Sequence, residues 1–476
     1  MLKASLNRPT APSTDGDAAA QPLLSDGMEP ADIKPSLEDV QHFDLLPDER
    51  SKFATHYMWS IKAINFYKGK APVEHLEKRV AAIVDANKWL AGRMCYKTSP
   101  PVPLGPEPTQ ELLNVTIAVP LKVADPSLYF KTVSMPTLRP NTPPGEITQM
   151  LTESGLTIKP GFMVLDKDEP LFRIMLVTIT DDMFAIVPNL SHNIADGHVM
   201  YQLFGMLSPN NEVRSLKWER SKRVLHEIVE AKADLMGPKR NAVAREHMKT
   251  NTITPMVLGV LGNMICKKFP TMTIRQVNAE WLEAKKAEYT ANKPSHLDRI
   301  STNDILTSWF YKTAQVKWGM MAYNLRGKAS FGTTPKSDTT SCLAEIDDEA
   351  AGSYFSMLSF TPAEFDSPYG IRSRVSQYDR IADEPGKPPG CLDSIKGLTG
   401  VITNWSHLYV ECDLSKLGCE QILHLPVGQP MEMGKFRCGC YIFTPVKGKL
   451  AVLTFDREGI FAKESEALGD SIDGLL

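Results

Sequence analysis

The sequence lacks a long hydrophobic run and a marked excess of charge of either sign. Its longest apolar stretch, Met256–Cys266, has eleven residues, whereas a membrane-spanning helix needs about 20. The 53 Lys and Arg residues nearly balance the 56 Asp and Glu residues, for a net charge of −3, so the overall charge favours neither nucleic acid nor an anionic membrane as a partner. With 42% hydrophobic and 23% charged residues, the chain is predicted to be soluble and globular, without a transmembrane segment.

The N-terminal segment has no secretory signal pattern and no aromatic residue. Residues 1–40 hold five prolines among Ser, Asp and Ala, which predicts a flexible leader. Without a signal peptide we expect a cytoplasmic location. In that compartment the eight cysteines are expected to be reduced and mostly buried.

Metal-ligand spacing is also missing. Four cysteines lie close together near His407 and His424, at positions 412, 419, 438 and 440. Structural zinc sites usually have paired ligands two to four residues apart, and only positions 438 and 440 are near each other, with one residue between them. We therefore favour structural thiols over metal ligands and expect no metal.

The common catalytic motifs are absent as well. The chain has no P-loop, no Gly-rich dinucleotide turn, no Gly-x-Ser-x-Gly elbow and no His-Glu-x-x-His helix, which argues against the commonest ATPase, dehydrogenase, α/β-hydrolase and zincin functions. We find no internal repeat.

Local patterns predict several elements. Apolar residues at helical spacing run from Leu76 to Leu90. Two β-prone runs at 171–180 and 183–190 are separated by a two-residue turn, and an amphipathic helix follows at 199–207.

Residues 214–249 carry ten Lys or Arg against five Asp or Glu. This excess indicates a polar crossover or a surface for a phosphorylated ligand, and we favour the crossover. Residues 364–400, rich in Pro, Gly and charge, are predicted to be a long loop.

The best candidate for chemistry is His192, in the loop between the predicted hairpin and helix. Imidazole titrates near pH ~6.5, so it could accept a proton from a hydroxyl or amine at neutral pH. Asp196, four residues later, could hold the loop by pairing with a distant cation, and Gly197 removes side-chain bulk near the imidazole. The alternative is an ordinary loop histidine with Asp196 as a helix N-cap, and the spacing by itself favours that alternative.

The wider context resembles the coenzyme-A-dependent acyltransferase superfamily. Residues 191–197 read Ser-His-Asn-Ile-Ala-Asp-Gly, similar to the active-site segment shared by chloramphenicol acetyltransferase, the BAHD acyltransferases, wax ester synthases and condensation domains. Residues 90–94 (Leu-Ala-Gly-Arg-Met), 301–307 (Ser-Thr-Asn-Asp-Ile-Leu-Thr), 324–327 (Asn-Leu-Arg-Gly) and 401–405 (Val-Ile-Thr-Asn-Trp) resemble BAHD segments in the expected order.

This resemblance implies an α/β fold of two chloramphenicol-acetyltransferase-like subdomains. Each has a mixed sheet with helices, and a long crossover joins them around a central tunnel. The implied boundaries are a leader at 1–40, an N-terminal subdomain at 41–213, a crossover at 214–260 and a C-terminal subdomain at 261–476. An acyl thioester and an acceptor would enter from opposite faces.

The resemblance also implies roles for individual residues. His192 would deprotonate the acceptor for direct attack on the thioester, without an acyl-enzyme, and the Thr403 hydroxyl could stabilise the oxyanion. Without the resemblance, we would interpret Thr403 as a strand residue and Trp405 as a core aromatic. His198, on the helix surface, is interpreted as a structural or rim residue in either case. The remaining implied residues are Trp405 and Asn404 at the substrate, and Asp413, Asp304 and Arg326 as structural motif residues, Asp304 being a helix cap or first-turn acid.

One segment departs from the BAHD pattern. Where that family has Asp-Phe-Gly-Trp-Gly, residues 413–418 read Asp-Leu-Ser-Lys-Leu-Gly. We expect a monomeric acyltransferase that uses acyl-CoA as a co-substrate, without a permanently bound cofactor, on a small alcohol or amine. The alternatives are a condensation-type or wax-ester-type enzyme with a lipid or carrier-bound substrate, and a non-catalytic binding relative.

Overall fold

The computed structural model describes residues 40–46, 49–51, 55, 60–97, 113–123, 125–220, 270–326, 346–376, 399–428, 438–456 and 458–471. The strands are β1 Val40–Asp44, β2 Ile61–Lys68, β3 Arg93–Tyr96, β4 Val115–Pro120, β5 Phe130–Ser134, β6 Phe172–Thr180, β7 Met183–Leu190, β8 Thr271–Val277, β9 Trp318–Asn324, β10 Phe355–Phe360, β11 Thr399–Asn404, β12 Glu420–Pro426, β13 Cys438–Phe443, β14 Ala451–Asp456 and β15 Leu468–Ser471. The helices are α1 Val73–Ala86, α2 Pro144–Glu153, α3 Gly161–Val164, α4 Gly197–Gly205, α5 Ala279–Ala291, α6 Thr302–Thr313, α7 Pro362–Phe365 and α8 Pro368–Ser376, with 3-10 turns at Lys88–Ala91, Pro126–Leu128 and Ser415–Leu417.

The predicted hairpin forms the centre of a five-stranded sheet. β6 and β7 pair antiparallel, with Leu176 opposite Ile186, and β7 is buried at every position after Met183. Burial of both faces explains why the run reads as nearly continuous apolar sequence. β2 joins β7 antiparallel, and β5 joins β6 parallel.

A strand from the second half of the chain completes this first sheet. β12 pairs antiparallel with β2, with Leu423 opposite Phe66, so the strand order is β12-β2-β7-β6-β5. The first sheet therefore draws on both sides of the implied crossover.

The second large sheet has seven strands in the order β10-β9-β11-β13-β14-β8-β15. β11 is parallel to β9 and β13, and the other pairs are antiparallel. Both large sheets are therefore mixed, as predicted. A smaller antiparallel sheet, β1-β4-β3, was not predicted.

The two faces of the seven-stranded sheet belong to different cores. On β13, Cys440 and Ile442 pack with α6 residues such as Phe310 in a core confined to the second half. Phe443 on the same strand packs into the core that also contains Ile186 of the first sheet. Because successive side chains of a strand point to opposite faces, one face of this sheet is turned toward the first half.

The helices predicted from apolar spacing are present as α1 and α4, whereas α2, α3 and α5 were not predicted. α1 ends at Ala86, before the predicted end near Leu90, and the Lys88–Ala91 turn follows it. The prediction of a loop throughout 364–400 is wrong at both ends: α7 and α8 occupy 362–365 and 368–376, and β11 begins at 399. At α7 the Thr361 and Glu364 side chains form a capping box, which stabilises a helix start that the composition of the segment obscured.

Several predictions lie largely outside the described residues. Of the predicted leader, the structure describes only Val40, where β1 begins. Of the predicted crossover, it describes only the residues up to Arg220. The apolar stretch at 256–266 lies outside the described residues. Within the described ranges, no group of His, Cys, Asp and Glu is arranged to hold a metal ion, and no helix has the length and apolar character needed to cross a membrane. The four clustered cysteines are buried, as predicted.

Candidate active site

The loop between β7 and α4 carries the candidate histidine. Just after β7 ends, the Ser191 N–H donates to the Leu171 carbonyl at 2.8 Å. The Ile194 N–H donates to the Ser191 carbonyl at 3.2 Å, which forms a tight turn. Asp196 then caps α4, since its Oδ1 accepts from the Val199 N–H at 3.3 Å. A tight turn followed by an N-cap therefore defines the loop, as the residue types predict.

His192 is half-buried in this loop. Its ring centroid lies 5.5 Å from that of Phe355, and its buried Nδ1 has no hydrogen-bond partner in the described part of the chain. Burial lowers the pKa of His192, and the charge of Asp196 opposes that shift. A pKa below the ordinary histidine value favours the neutral imidazole at pH 7.

Asp196 pairs with a cation from the second half. Its Oδ2 accepts from Arg326 Nη1 at 2.7 Å and from the Tyr354 N–H at 3.0 Å, and both charged side chains are buried. Arg326 also donates to the carbonyls of Ala350 and Gly352. The carboxylate oxygens bond to these donors and to the helix cap, so Asp196 anchors the loop across the two halves.

A second buried ion pair, between Glu49 and Arg220, contacts the loop. The sequence did not predict it. Arg220 Nη2 lies 3.0 Å from Glu49 Oε1, with side-chain exposures of 5% and 0%. Burial raises the pKa of Glu49, and the charge of Arg220 opposes that shift. No local pattern distinguishes Glu49, and Arg220 is one cation among many in a charged segment, so only the fold brings this pair together.

The end of β11 meets the start of α4. A Cβ at Gly197 would lie 3.9 Å from the Trp405 indole, an ordinary van der Waals contact, so the two segments pack side by side and the position does not require glycine. The Trp405 N–H continues the strand ladder by donating to the Ile442 carbonyl at 2.8 Å. Because strand side chains alternate, Thr403 lies on the same face as Trp405, the face turned toward α4, and it is half-buried.

Asn404 lies on the opposite face of β11. Its Nδ2 donates to Asn303 Oδ1 at 3.0 Å, and its Oδ1 accepts from the Ser406 N–H at 2.9 Å and from the Ser406 hydroxyl at 2.7 Å. These bonds tie the strand end to α6 and shape the turn that follows. The structure therefore gives Asn404 a local structural setting, away from the face that carries Thr403.

Asp304 lies in the first turn of α6, as predicted, and has an additional partner. Ser301 and Asp304 form a capping box, and Asp304 Oδ2 accepts from Arg372 Nε at 2.8 Å. Burial raises the pKa of Asp304, and Arg372 opposes the shift. This pair secures the core of the second half.

Asp413 stabilises the turn in the segment that departs from the BAHD pattern. Its Oδ1 accepts from the Ser415 N–H at 2.9 Å and its Oδ2 from Asn210 Nδ2 at 2.9 Å, and the bonds with Ser415 lower the pKa of Asp413. The turn ends at Gly418, whose φ of 73° favours glycine. This segment is thereby joined to the chain that follows α4.

His198 bonds to the backbone of the second half. It is half-buried on α4, and its Nε2 donates to the Asp348 carbonyl at 3.0 Å. Its environment is that of a structural residue linking α4 to the second half, as the sequence predicted.

An aromatic cluster that was not predicted lies behind α4. His424 of β12 is fully buried, stacks on Tyr409 with ring centroids 4.3 Å apart, and contacts Tyr201. The Tyr201 hydroxyl donates to His424 Nε2 at 2.8 Å, and Nδ1 donates to the Thr444 carbonyl at 3.0 Å. Burial lowers the pKa of His424 to about 4. Both ring nitrogens are thus occupied within the protein, unlike those of a metal ligand.

Comparison with known proteins identifies the fold. TRI101 of F. sporotrichioides, complexed with coenzyme A and T-2, matches with a TM-score of 0.51 and 12% identity over 90% of this chain and 98% of its own. TRI101 of F. graminearum, complexed with ethyl coenzyme A, matches with a TM-score of 0.50 and 12% identity over 89% and 96%. The first condensation domain of the CDA synthetase matches with a TM-score of 0.48 and 12% identity over 87% and 90%. No protein-family model and no curated protein matches the sequence. The predicted fold class, a two-subdomain chloramphenicol-acetyltransferase-like fold, is confirmed.

Proposed function

We propose that this chain is an acyltransferase in which His192 acts as the general base. The observation that carries the proposal is a neutral imidazole, with its pKa lowered by burial, in a loop anchored by the Asp196–Arg326 pair at the junction of the two halves. A base whose pKa lies below neutral pH is unprotonated at pH 7, as proton abstraction from a hydroxyl or amine requires.

In the proposed reaction the acyl group passes directly from the thioester to the acceptor, without an acyl-enzyme. His192 Nε2 takes the proton of the acceptor O–H or N–H as the acceptor atom attacks the thioester carbon. The tetrahedral oxyanion then collapses, the carbon–sulfur bond breaks, and the imidazolium returns the proton to the departing thiolate. Because Asp196 is bonded to Arg326 and backbone amides, it orients the loop and takes no part in the proton transfer.

We assign stabilisation of the oxyanion to the Thr403 hydroxyl. This hydroxyl lies on the face of β11 that is turned toward α4, two residues before Trp405, which packs beside Gly197. A single hydrogen-bond donor to a developing oxyanion raises kcat by a factor of about 10²–10³. Phe355, beside the His192 ring, would form part of the acceptor wall.

The proposed donor is an acyl-CoA. The two TRI101 structures with this fold contain coenzyme A or ethyl coenzyme A, which supports the same donor here. The proposed acceptor is a small alcohol or amine.

The test is thiol release from a panel of acyl-CoAs with pooled acceptors, followed by mass analysis of the product. His192→Ala should lower kcat by about 10²-fold or more, since general bases contribute 10²–10⁴. Because burial lowers the pKa of His192, the wild-type rate should fall on acidification with a midpoint below the ordinary histidine value, as the base becomes protonated.

The matched control is His198→Ala, which removes a neighbouring imidazole from the same helix start. Its turnover should stay within a few-fold of wild type. Wild-type turnover in His192→Ala, with product formation intact, would refute the assignment of the base.

A further inference from the structure

The ion pair of Glu49 and Arg220 contacts the backbone that carries His192. Arg220 Nη2 donates to the Ile194 carbonyl at 2.6 Å, and Asn193 Nδ2 donates to the Glu49 carbonyl at 2.9 Å. The Arg220 side chain therefore holds Ile194, and the backbone carbonyl of Glu49 holds Asn193. Asp196 and Arg326 hold the other end of the loop.

Both carboxylate oxygens of Glu49 accept two hydrogen bonds each. The carboxylate accepts from the Leu46 N–H at 2.8 Å, from the Ser353 N–H at 2.8 Å and from Arg220 at 3.0 and 3.2 Å. The Ser353 hydroxyl in turn donates to the His192 carbonyl at 3.2 Å. The pair therefore also reaches the backbone of the base itself, through Ser353.

Residues 352–354 join the two buried ion pairs. The N–H groups of Ser353 and Tyr354 donate to Glu49 and Asp196 respectively. Gly352 has a φ of 130°, and a Cβ there would lie 3.1 Å from the Tyr354 ring and 3.3 Å from Glu49 Oε1, so a glycine is needed between the pairs.

We propose that Glu49 and Arg220 are positioning residues for the general base. This inference rests on the proposed function. Replacement of a buried ion pair by apolar residues is often neutral for stability. The specific contribution of this pair is therefore directional: the hydrogen bond from Arg220 to the Ile194 carbonyl, and the bond from Ser353 to Glu49 that positions the Ser353 hydroxyl on the His192 carbonyl. Loss of these bonds lets the imidazole depart from its reactive position, and a displacement of about 1 Å can lower a rate by about 10²-fold.

The test uses the paired substitution Glu49→Leu with Arg220→Met in the full chain, which removes both charges together so that neither is left unpaired. We expect kcat to fall about 10–100-fold with KM within about 3-fold. Hydrogen exchange in a peptide covering 191–197 should accelerate about 10-fold or more, while peptides from β6 and α6 exchange as in wild type. If the double variant fails to fold, Arg220→Lys takes its place: it keeps the charge but loses the planar fork that reaches both Glu49 and Ile194, and it should still lower kcat and accelerate exchange in 191–197.

The matched control is Asp304→Leu with Arg372→Met, an equally buried pair whose described hydrogen bonds do not reach the loop. It should leave both kcat and exchange in 191–197 unchanged. The proposal is overturned if the Glu49 and Arg220 variant keeps wild-type exchange in the loop, or if the control accelerates that exchange equally. If no acyl transfer occurs with any wild-type preparation, the proposed function fails, and the exchange comparison still decides whether the pair positions the loop.

Discussion

The buried imidazole of His424 should make folding stability depend on pH. Its pKa is lowered from 6.5 to about 4 by burial, so in the range between those values the unfolded chain binds a proton that the folded chain does not. Stability is then complete above pH 6.5 and declines as the pH falls toward 4. The neutral ring is required because Nε2 accepts from Tyr201 while Nδ1 donates to Thr444.

The size of the effect follows from the two pKa values. One pKa unit corresponds to about 1.36 kcal/mol, so the full loss from this residue is about 3 kcal/mol. Between pH 7 and pH 5 the expected loss is about 2 kcal/mol, since the unfolded imidazole is mostly protonated at pH 5 and the folded one mostly neutral.

The assay is urea unfolding of wild type and His424→Gln at both pH values. Glutamine does not titrate, so the wild type should lose about 2 kcal/mol more than the variant on acidification. His407→Gln, which removes an exposed imidazole near the same cluster, is the control and should follow the wild type. Equal pH dependence in wild type and His424→Gln would show that His424 is protonated within the folded protein, contrary to the geometry.

Two further predictions concern the residues around the base. Asp196→Ala leaves the buried Arg326 unpaired and should lower the free energy of unfolding by about 3–5 kcal/mol, with a loss of kcat; an unchanged urea midpoint would contradict the anchoring role. Thr403→Val should lower kcat about 10²-fold by removing the oxyanion donor while the urea midpoint stays near wild type, and Thr403→Ser should retain most of the activity. A fully active Thr403→Val would remove Thr403 from the mechanism.

The hairpin and the helix around the candidate base were accessible from the sequence. Continuous β-prone runs separated by Asp181-Asp182 predicted β6 and β7, and the apolar stripe from Val199 to Leu207 predicted α4. These patterns reflect local backbone preferences and burial of a face, which neighbouring residues determine. The Asp196 cap and the Ser301 cap are equally local, since each bonds to a backbone amide within three residues.

Composition misled where local structure depends on a few specific bonds. The Pro-rich, charged sequence after 361 suggested a loop, yet the Thr361 and Glu364 capping box begins a helix there. The resemblance, not composition, implied that Asn404 lies at the substrate, and that role stays a prediction. Strand alternation puts Asn404 on the face opposite Thr403, where it bonds to Asn303 and Ser406.

What the sequence determined by itself was the set of local elements, the fold class through ordered motif resemblance, and His192 as the residue to examine. What only the tertiary structure decided was which charges meet: Asp196 with Arg326 across 130 positions, and Glu49 with Arg220 across 171. The physical reason is that periodicity and capping act over a few residues. A buried ion pair instead depends on where distant segments are brought together and excluded from water, and no local pattern records that placement.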